Sequence, residues 1–148
     1  MKPRIMVVDD DAESCRALSE LLASEGFETM SFESGEEAWA AIASQQLPPD
    51  IVIADVRMPG LDGVALVQRI KARFAAVPVV LVSAFPDEPI WVQGLDAGAL
   101  DVFPKPIHGA SLVRALRKAL GAAQKPGQLV GHNPDPRDAG ISERRSGS

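Results

Sequence analysis

The sequence predicts an α/β fold in which a parallel sheet is covered by helices on both faces. Three short apolar runs, at residues 5–8, 51–54 and 79–82, are rich in Val and Ile and do not alternate with polar residues. Runs of this kind are typical of strands buried on both sides, as in parallel sheets. Segments with helical spacing of apolar residues lie between them, so strands and helices alternate along the chain.

Two weaker runs complete the predicted sheet. Residues 29–32 predict an edge strand, and residues 100–103 predict a fifth strand. The first three helices are indicated by residues that can cap their N-termini. Asp11 and Asp62 can cap the first and third helices, and Ser34 with Glu37 forms a capping box at the start of the second.

The last two helices and the tail set the predicted domain boundary. The fourth helix is weaker because Gly94 lies in its interior. The fifth is expected to end at Gly121, a suitable residue just beyond a helix C-terminus. We therefore predict one domain at residues 1–121 and a flexible tail, rich in Pro and Gly, at residues 122–148.

Composition excludes several classes of function. The chain has 148 residues, enough for one domain with a core, and a formal net charge of −5. Without a cluster of Lys and Arg, we expect no nucleic-acid binding. The single cysteine, Cys15, excludes an internal disulfide and a cysteine-built metal site, and we expect it on the apolar side of a helix. No apolar run reaches membrane length, so we expect a cytoplasmic protein that does not bind membranes.

Polar and charged residues follow the ends of the strong strands. Asp9 and Asp10 end the first strand and Asp55 the third, while Ser83 ends the fourth and Lys105 follows the fifth. In an open parallel sheet, ligands bind beyond the carboxyl ends of the strands. We therefore expect these five side chains to face one site.

The three carboxylates favour a magnesium site. If the first and third strands are neighbours, Asp9, Asp10 and Asp55 cluster, and their mutual repulsion raises their pKa values unless a cation is present. An all-oxygen cluster suits Mg²⁺, which keeps several waters and shares phosphate oxygens. Asp55 could then act as a nucleophile that forms an acyl phosphate. Lys105 would offer a positive charge, and Ser83 a hydroxyl donor, to the phosphoryl oxygens.

These motifs together resemble the receiver domain of bacterial response regulators, including the chemotaxis receivers. The resemblance rests on Asp9-Asp10, the segment Asp-Val-Arg-Met-Pro-Gly-Leu-Asp-Gly at residues 55–63, Ser83-Ala84 and Lys105-Pro106, in that order. It covers roughly residues 3–121. The implied fold is flavodoxin-like: a doubly wound, five-stranded parallel sheet in strand order 2-1-3-4-5, with five helices.

The resemblance also implies a role for each site residue. Asp55 would be the phosphoacceptor, Ser83 the switch hydroxyl and Lys105 the lysine that contacts the phosphoryl group. Mg²⁺ would be held by Asp9, Asp10, Asp55 and the backbone carbonyl of Arg57, and no other cofactor is expected. The chain would catalyse only its own phosphoryl transfer and dephosphorylation, and would not otherwise be an enzyme.

The implied partners are proteins. A sensor histidine kinase or a phosphotransfer protein would supply the phosphoryl group. A downstream protein, or a second copy of the chain, would bind the surface formed by the fourth helix, the fifth strand and the fifth helix.

Two details near the fifth strand concern the switch. Receiver domains often have an aromatic residue three positions before the lysine, where this chain has Val102. The aromatic Phe103 follows, but adjacent strand residues point to opposite faces, so we do not expect Phe103 to replace the missing ring. We also predict a cis Lys105-Pro106 bond, because a tight loop must return Lys105 to the acids.

Two other classes of protein fit the sequence less well than a receiver domain. A haloacid-dehalogenase-type phosphatase needs a second Asp two residues after the nucleophile, where this chain has Arg57, and a substrate-covering cap. A flavodoxin-type electron carrier needs a Ser/Thr-rich phosphate loop after the first strand, where this chain has three consecutive aspartates. A phosphorylation-independent adaptor on the same fold, and a fragment of a longer regulator, stay open as alternatives.

Overall fold

Strands and helices alternate five times along the chain. The computed structural model describes residues 2–44, 48–84 and 87–124. Within them, the elements are β1 (Arg4–Val8), α1 (Ala12–Ser24), β2 (Glu28–Phe32), α2 (Gly35–Ser44), β3 (Ile51–Asp55), α3 (Gly63–Arg73), β4 (Val79–Ser83), α4 (Glu88–Ala97), β5 (Asp101–Pro104) and α5 (Gly109–Gln124). The predicted α/β alternation is confirmed. Asp55 and Ser83 are themselves the last residues of their strands, one residue beyond the apolar runs.

The strands form one parallel sheet in the order β2-β1-β3-β4-β5. The predicted strand order and the edge position of the second strand are both confirmed. The central strands β3 and β4 are buried along their whole length. The chain places β2 on one side of β1 and then β3 on the other side, so the strand order reverses between β1 and β3. In sheets of this kind, ligands bind at that point.

Alternate side chains of the central strands build a hydrophobic core on each face of the sheet. One core joins the sheet to α2, α3 and α4 and includes Met6, Val52, Ile42, Leu66 and Leu81. The other joins the sheet to α1 and α5 and includes Ile5, Ile53, Leu22, Val80 and Leu116. Because both faces are covered, a ligand can reach the central strands only through the loops at their ends.

The predicted helix N-termini are confirmed. Asp11 and Asp62 are N-cap residues whose side chains accept hydrogen bonds from backbone N–H groups in the first turn of α1 and α3. The Ser34 hydroxyl accepts a bond of 3.1 Å from the N–H of Glu37 at the start of α2. The predicted capping box is only half formed, because the Glu37 carboxylate makes no return bond to the Ser34 N–H. Asp87 caps α4 in the same way as Asp11 and Asp62 cap their helices. These caps supply acceptors for N–H groups that have no partner within the helix.

The C-terminal end of the fifth helix differs from the prediction. Gly121 lies inside α5, which continues to Gln124, so the expected role of Gly121 as a terminating residue is wrong. A glycine costs only about 1 kcal/mol in a helix interior, and the two alanines that follow are the strongest helix formers. The predicted domain boundary therefore falls within a helix. Residues 122–124 of the predicted tail are helical rather than part of a flexible segment, and the rest of it, residues 125–148, lies outside the described residues.

Two findings bear on the predictions made from composition. Cys15 is buried on the inner side of α1, as predicted, and the residue is 3% exposed. None of the helices in the described part of the chain is both long and apolar enough to cross a membrane.

Two glycines allow helices to approach the sheet closely. A Cβ atom on Gly94 would lie 2.9 Å from Cδ1 of Leu81 and 3.1 Å from Cγ2 of Val102. A Cβ atom on Gly63 would lie 2.9 Å from Cα of Val56, and closer still to the carbonyl oxygen of Asp55. Gly63 therefore lets α3 begin directly against the backbone of the strand that ends at Asp55.

We predict that Gly63→Ala destabilises the fold, while Gly121→Ala does not. The backbone atoms that a methyl group would meet at residue 63 cannot move away as a flexible side chain can, so overpacking should cost about 1–3 kcal/mol. A Cβ atom on Gly121 meets nothing within 4 Å, so the helical control gains slightly from its better propensity. Urea denaturation of both variants tests this. Equal stabilities would show that the close contact at Gly63 has no energetic effect.

Candidate functional site

The sheet brings the carboxyl ends of β1, β3, β4 and β5 to one edge. Val8 pairs with Ala54 and Asp55 pairs with Val82, so the residues that follow these pairs lie side by side. Asp9 therefore follows β1 next to Asp55 at the end of β3. The convergence predicted for the strand ends is a consequence of parallel pairing with matched register.

Three carboxylates meet at this edge. One side-chain oxygen from each of Asp9, Asp10 and Asp55 lies within 4.8 Å of the other two. Asp9 is 7% exposed and Asp55 is 9% exposed, whereas Asp10 faces solvent. Such a group of oxygen donors, with one side open to water, has the chemistry that Mg²⁺ requires. The residues therefore fit the metal that the sequence predicts.

Lys105 joins the two buried acids. Its Nζ atom lies 3.0 Å from Oδ2 of Asp9 and 3.1 Å from Oδ2 of Asp55. The backbone N–H of Lys105 donates a 2.9 Å hydrogen bond to the carbonyl of Ser83, which holds the start of the β5–α5 loop against the end of β4. The Lys105-Pro106 peptide bond is cis, as predicted.

Backbone N–H groups fix the other oxygen of each buried acid. Oδ1 of Asp9 accepts a 3.0 Å hydrogen bond from the N–H of Asp11, and Oδ1 of Asp55 accepts one of 3.3 Å from the N–H of Arg57. Each carboxylate thus has one oxygen on the backbone and one on Lys105. Bonds of this kind limit the rotation of the carboxylate groups, so the site is organised before any ligand arrives.

Burial and charge act in opposite directions on the two partners. Burial raises the pKa of the Asp55 carboxyl above its ordinary value, the nearby charge of Asp9 adds to this, and the bond from Lys105 only partly offsets it. Burial alone would lower the pKa of the Lys105 ammonium, but its bonds to Asp9 and Asp55 raise that pKa overall. The site is therefore short of positive charge, with one lysine among three acids.

Ser83 lies at the same edge but is enclosed. It follows Val82, the register partner of Asp55, and its side chain has no exposed surface. The sequence thus located correctly the strand end that carries Ser83. The hydroxyl belongs to the interior side of the site, whereas Asp10 belongs to its open side.

Val102 and Phe103 point to opposite faces of the sheet, as predicted. Val102 is in the core beneath α4, and Phe103 packs against the core beneath α1 and α5. Phe103 therefore does not occupy the position of the ring that many receivers have at residue 102. The Gly94 contact described above brings α4 close to Val102 at this point.

A cavity of about 310 Å³ lies beside the acids, between α1 and the β5–α5 loop. Asp9, Asp55 and Lys105 line one end, and apolar side chains such as Leu18, Leu21 and Ile107 line much of the rest. Sequence reasoning did not predict this cavity, because its walls come from segments almost 90 residues apart. Sequence reasoning also missed the close contact of Gly63 with the Asp55 backbone. Most residues are tolerated directly after an N-cap, so a glycine at that position could have indicated a close approach of the backbone.

The comparisons with known proteins agree with this arrangement. The model of the response regulator receiver domain matches residues 5–117. The chain is 37% identical over 121 residues to the DNA-binding transcriptional regulator NtrC of Salmonella typhimurium. The aligned region covers 82% of this chain and 25% of NtrC. It is also 37% identical over 120 residues to the DNA-binding response regulator MtrA of Mycolicibacterium paratuberculosis, covering 81% of this chain and 52% of MtrA.

A solved structure gives the same result. The crystal structure of a putative response regulator from Chloroflexus aurantiacus matches with a TM-score of 0.76 and 31% identity, over 82% of this chain and 99% of that one. By contrast, the chain spans only about a quarter of the NtrC sequence and half of the MtrA sequence. The similarity to these regulators is therefore a similarity to one part of each.

We predict that Asp55→Asn stabilises the metal-free protein at neutral pH. Because the folded-state pKa of Asp55 is raised above 3.8, ionised Asp55 opposes folding, and the neutral amide removes that penalty. As the pH falls from 7 toward 3.8, the wild-type carboxyl takes up its proton and the penalty disappears. The stability difference should therefore shrink on acidification.

Thermal unfolding at several pH values, in a metal chelator, measures this difference. Asp96→Asn, at an exposed position of α4, is the matched control for loss of one acid. A wild-type protein more stable than Asp55→Asn at pH 7, or a difference that grows on acidification, would contradict the assigned pKa direction.

Proposed function

The chain belongs to the response regulator receiver domain family, and on that premise we propose that the Asp55 carboxylate is the group that accepts the phosphoryl group. The observation that carries this proposal is the environment of Asp55. It is the only acid in the described part of the chain that ends a buried central strand, contacts Lys105 and lies among two further carboxylates.

The proposed reaction moves a phosphoryl group from a phosphohistidine to Asp55. The P–N bond of the donor breaks, its electron pair returns to the imidazole nitrogen, and a P–O bond forms to a side-chain oxygen of Asp55. Phosphoryl transfer depends mainly on positioning and on neutralisation of charge, rather than on further covalent chemistry. The Arg57 N–H, 3.3 Å from Oδ1, can hold one oxygen of Asp55 while Oδ2 is the nucleophile.

Lys105 is proposed to change partner during this reaction. Its ammonium group is 3.1 Å from Oδ2 of Asp55, so an oxygen of a phosphoryl group attached to Asp55 would come within its reach. The bond to Asp9, at 3.0 Å, can keep Lys105 near the site while it does so. The Ser83 hydroxyl is proposed to donate to another phosphoryl oxygen, which requires movement of the enclosed side chain at the end of β4.

Mg²⁺ is the proposed cofactor. Asp9, Asp10 and Asp55, with the Arg57 carbonyl, would hold it, and Asp10 supplies the solvent-facing ligand. When bound, the ion would neutralise part of the charge that the acids and the phosphoryl oxygens share. The same residues would serve dephosphorylation, in which water attacks the phosphorus atom, the P–O bond to Asp55 breaks, and the Asp55 carboxylate and inorganic phosphate are released. We propose no other enzymatic activity.

The proposed donor is a sensor histidine kinase or a phosphotransfer protein, acting in the cytoplasm. Asp55 is largely covered, so its carboxylate is approached from the open side next to Asp10. NtrC and MtrA are DNA-binding regulators by name, but this chain matches only part of each. The prediction that this chain does not itself bind nucleic acid stays a prediction.

The proposed output surface consists of α4, β5 and α5, where a downstream protein or a second copy would bind. Trp91 and Leu95 of α4, and Phe103 of β5, are partly exposed apolar side chains on these elements. With Val102 in place of a ring, the signal would pass through movement of the β4–α4 loop and of α4 itself. A ligand shifts such a two-state equilibrium only through its different interactions with the two states, and Ser83 would supply that difference.

We predict that a small phosphodonor adds one phosphoryl group to the wild-type protein in the presence of Mg²⁺. Intact-mass spectrometry should show the added mass, and its loss in a chelator or in Asp55→Asn. Asp96→Asn, which removes an exposed acid of α4, should be labelled like the wild type. Full labelling of Asp55→Asn would place the phosphoacceptor elsewhere and refute the proposal.

We also predict that phosphorylation changes the amide hydrogen exchange of residues 84–103. One charge-assisted hydrogen bond contributes about 1.5–3 kcal/mol, which shifts a two-state population roughly tenfold or more. Exchange measured with and without a beryllium fluoride phosphoryl mimic should differ across this segment, and Asp55→Asn should show no difference. Changes restricted to the neighbourhood of Asp9, Asp10 and Asp55 would contradict a switch that reaches α4.

A further inference from the structure

The first turn of α2 packs against the loop that follows Asp55. A Cβ atom on Gly35 would overlap the carbonyl oxygen of Leu61, and one on Gly60 would overlap Oε2 of Glu36. The N–H of Leu61 donates a 2.9 Å hydrogen bond to that same oxygen. Gly60 has φ +74, a conformation that favours glycine, and so turns the chain toward Glu36. Residues 25 positions apart thus form a direct contact.

This loop also carries the Arg57 carbonyl. Two hydrogen bonds fix the start and the end of the loop. The Val56 N–H donates to the Val82 carbonyl at 2.9 Å, and the Gly63 N–H donates to the Val56 carbonyl at 3.0 Å. Between them, Met58 is buried in the core beneath α2 and α3. The outer turn at residues 59–61 lies away from these anchors, and the Glu36 carboxylate holds it. The loop is therefore supported from both sides of Arg57.

We propose that Glu36 is a positioning residue for the Mg²⁺ site. Its carboxylate fixes the Gly60–Leu61 turn and thereby the direction of the Arg57 carbonyl, and this inference rests on the proposed function of that site. Glu36 touches neither the metal nor the phosphoryl group. It is exposed and lies in the first turn of α2, where a negative charge interacts favourably with the helix N-terminus.

The same chain offers a matched control. Glu37 is also exposed and lies in the first turn of α2, but its carboxylate makes no hydrogen bond to any residue that the structure describes. Glu37→Ala removes the same charge from the same helix end and leaves the loop contact intact. Glu36→Gln keeps a side-chain oxygen for the Leu61 N–H and removes only the charge. Loss of the charge at the helix N-terminus, without any role of the loop contact, would affect Glu36→Ala and Glu37→Ala alike.

The test measures Mg²⁺ affinity by calorimetric titration, together with amide exchange of Leu61 in the metal-free protein. Loss of groups that orient metal ligands typically lowers affinity about 10–100-fold, and because Glu36 acts one contact further out we expect about 3–10-fold for Glu36→Ala. Leu61 should exchange faster in that variant. Glu37→Ala should match the wild type in both measurements, and Glu36→Gln should recover part of the affinity and of the Leu61 protection.

The outcomes separate this inference from the proposed function. If the wild-type protein binds no Mg²⁺ and accepts no phosphoryl group, the proposed function and this inference are both wrong. If the wild type does both, and Glu36→Ala matches Glu37→Ala in affinity, only the positioning role of Glu36 is refuted. Faster Leu61 exchange in Glu36→Ala with unchanged Mg²⁺ affinity also refutes it, because the contact would then hold the turn without acting on the metal.

Discussion

The pairing of Lys105 with both Asp9 and Asp55 is the interaction on which the site depends. Two carboxylates on side chains that are only 10% and 11% exposed would repel each other strongly, and one ammonium group at 3.0 and 3.1 Å makes their proximity tolerable. One lysine does not balance three acids, as the raised pKa of Asp55 indicates. The remaining demand for positive charge is what gives the site its proposed affinity for Mg²⁺. The proposed nucleophile, the Asp55 carboxylate, thus lies where a cation could offset the charge of a phosphoryl group.

The fold supplies this pairing through strand register rather than through long side chains. Asp9 follows β1, Asp55 ends β3 and Lys105 follows β5, so the acids come from the middle of the sheet and the lysine from its edge. The hydrogen bond from the Lys105 N–H to the Ser83 carbonyl holds the lysine backbone at the end of β4, close enough for its side chain to contact the acids. Around them, Gly63 and Glu36 fix the loop after Asp55 from two sides. The proposed chemistry thus depends on backbone placement that begins well outside the site.

The sequence was sufficient for the features that depend on local pattern. Continuous Val and Ile runs indicated the buried strands, and acids directly after those runs indicated the site, because parallel strands bring their carboxyl ends together. The predicted end of α5 was wrong because a glycine can lie inside a helix as well as just beyond its end. The surroundings of Gly121 decide between the two, and the sequence pattern does not show them. The contacts of Glu36 with Leu61 and of Gly94 with Val102 could not be predicted, since each depends on how closely two separate elements pack.

The central claim is that the acid cluster is incomplete without a cation, and the stability of the protein as a function of Mg²⁺ concentration tests it most directly. A ligand that binds only the folded state stabilises that state by about 2.7 kcal/mol when its free concentration is 100 times its Kd. We expect a gain of this kind in the urea unfolding of the wild-type protein, and a much smaller gain in Asp10→Asn, which lacks the solvent-facing carboxylate of the cluster. An equal gain in Asp10→Asn, or no gain in the wild type, would contradict the account.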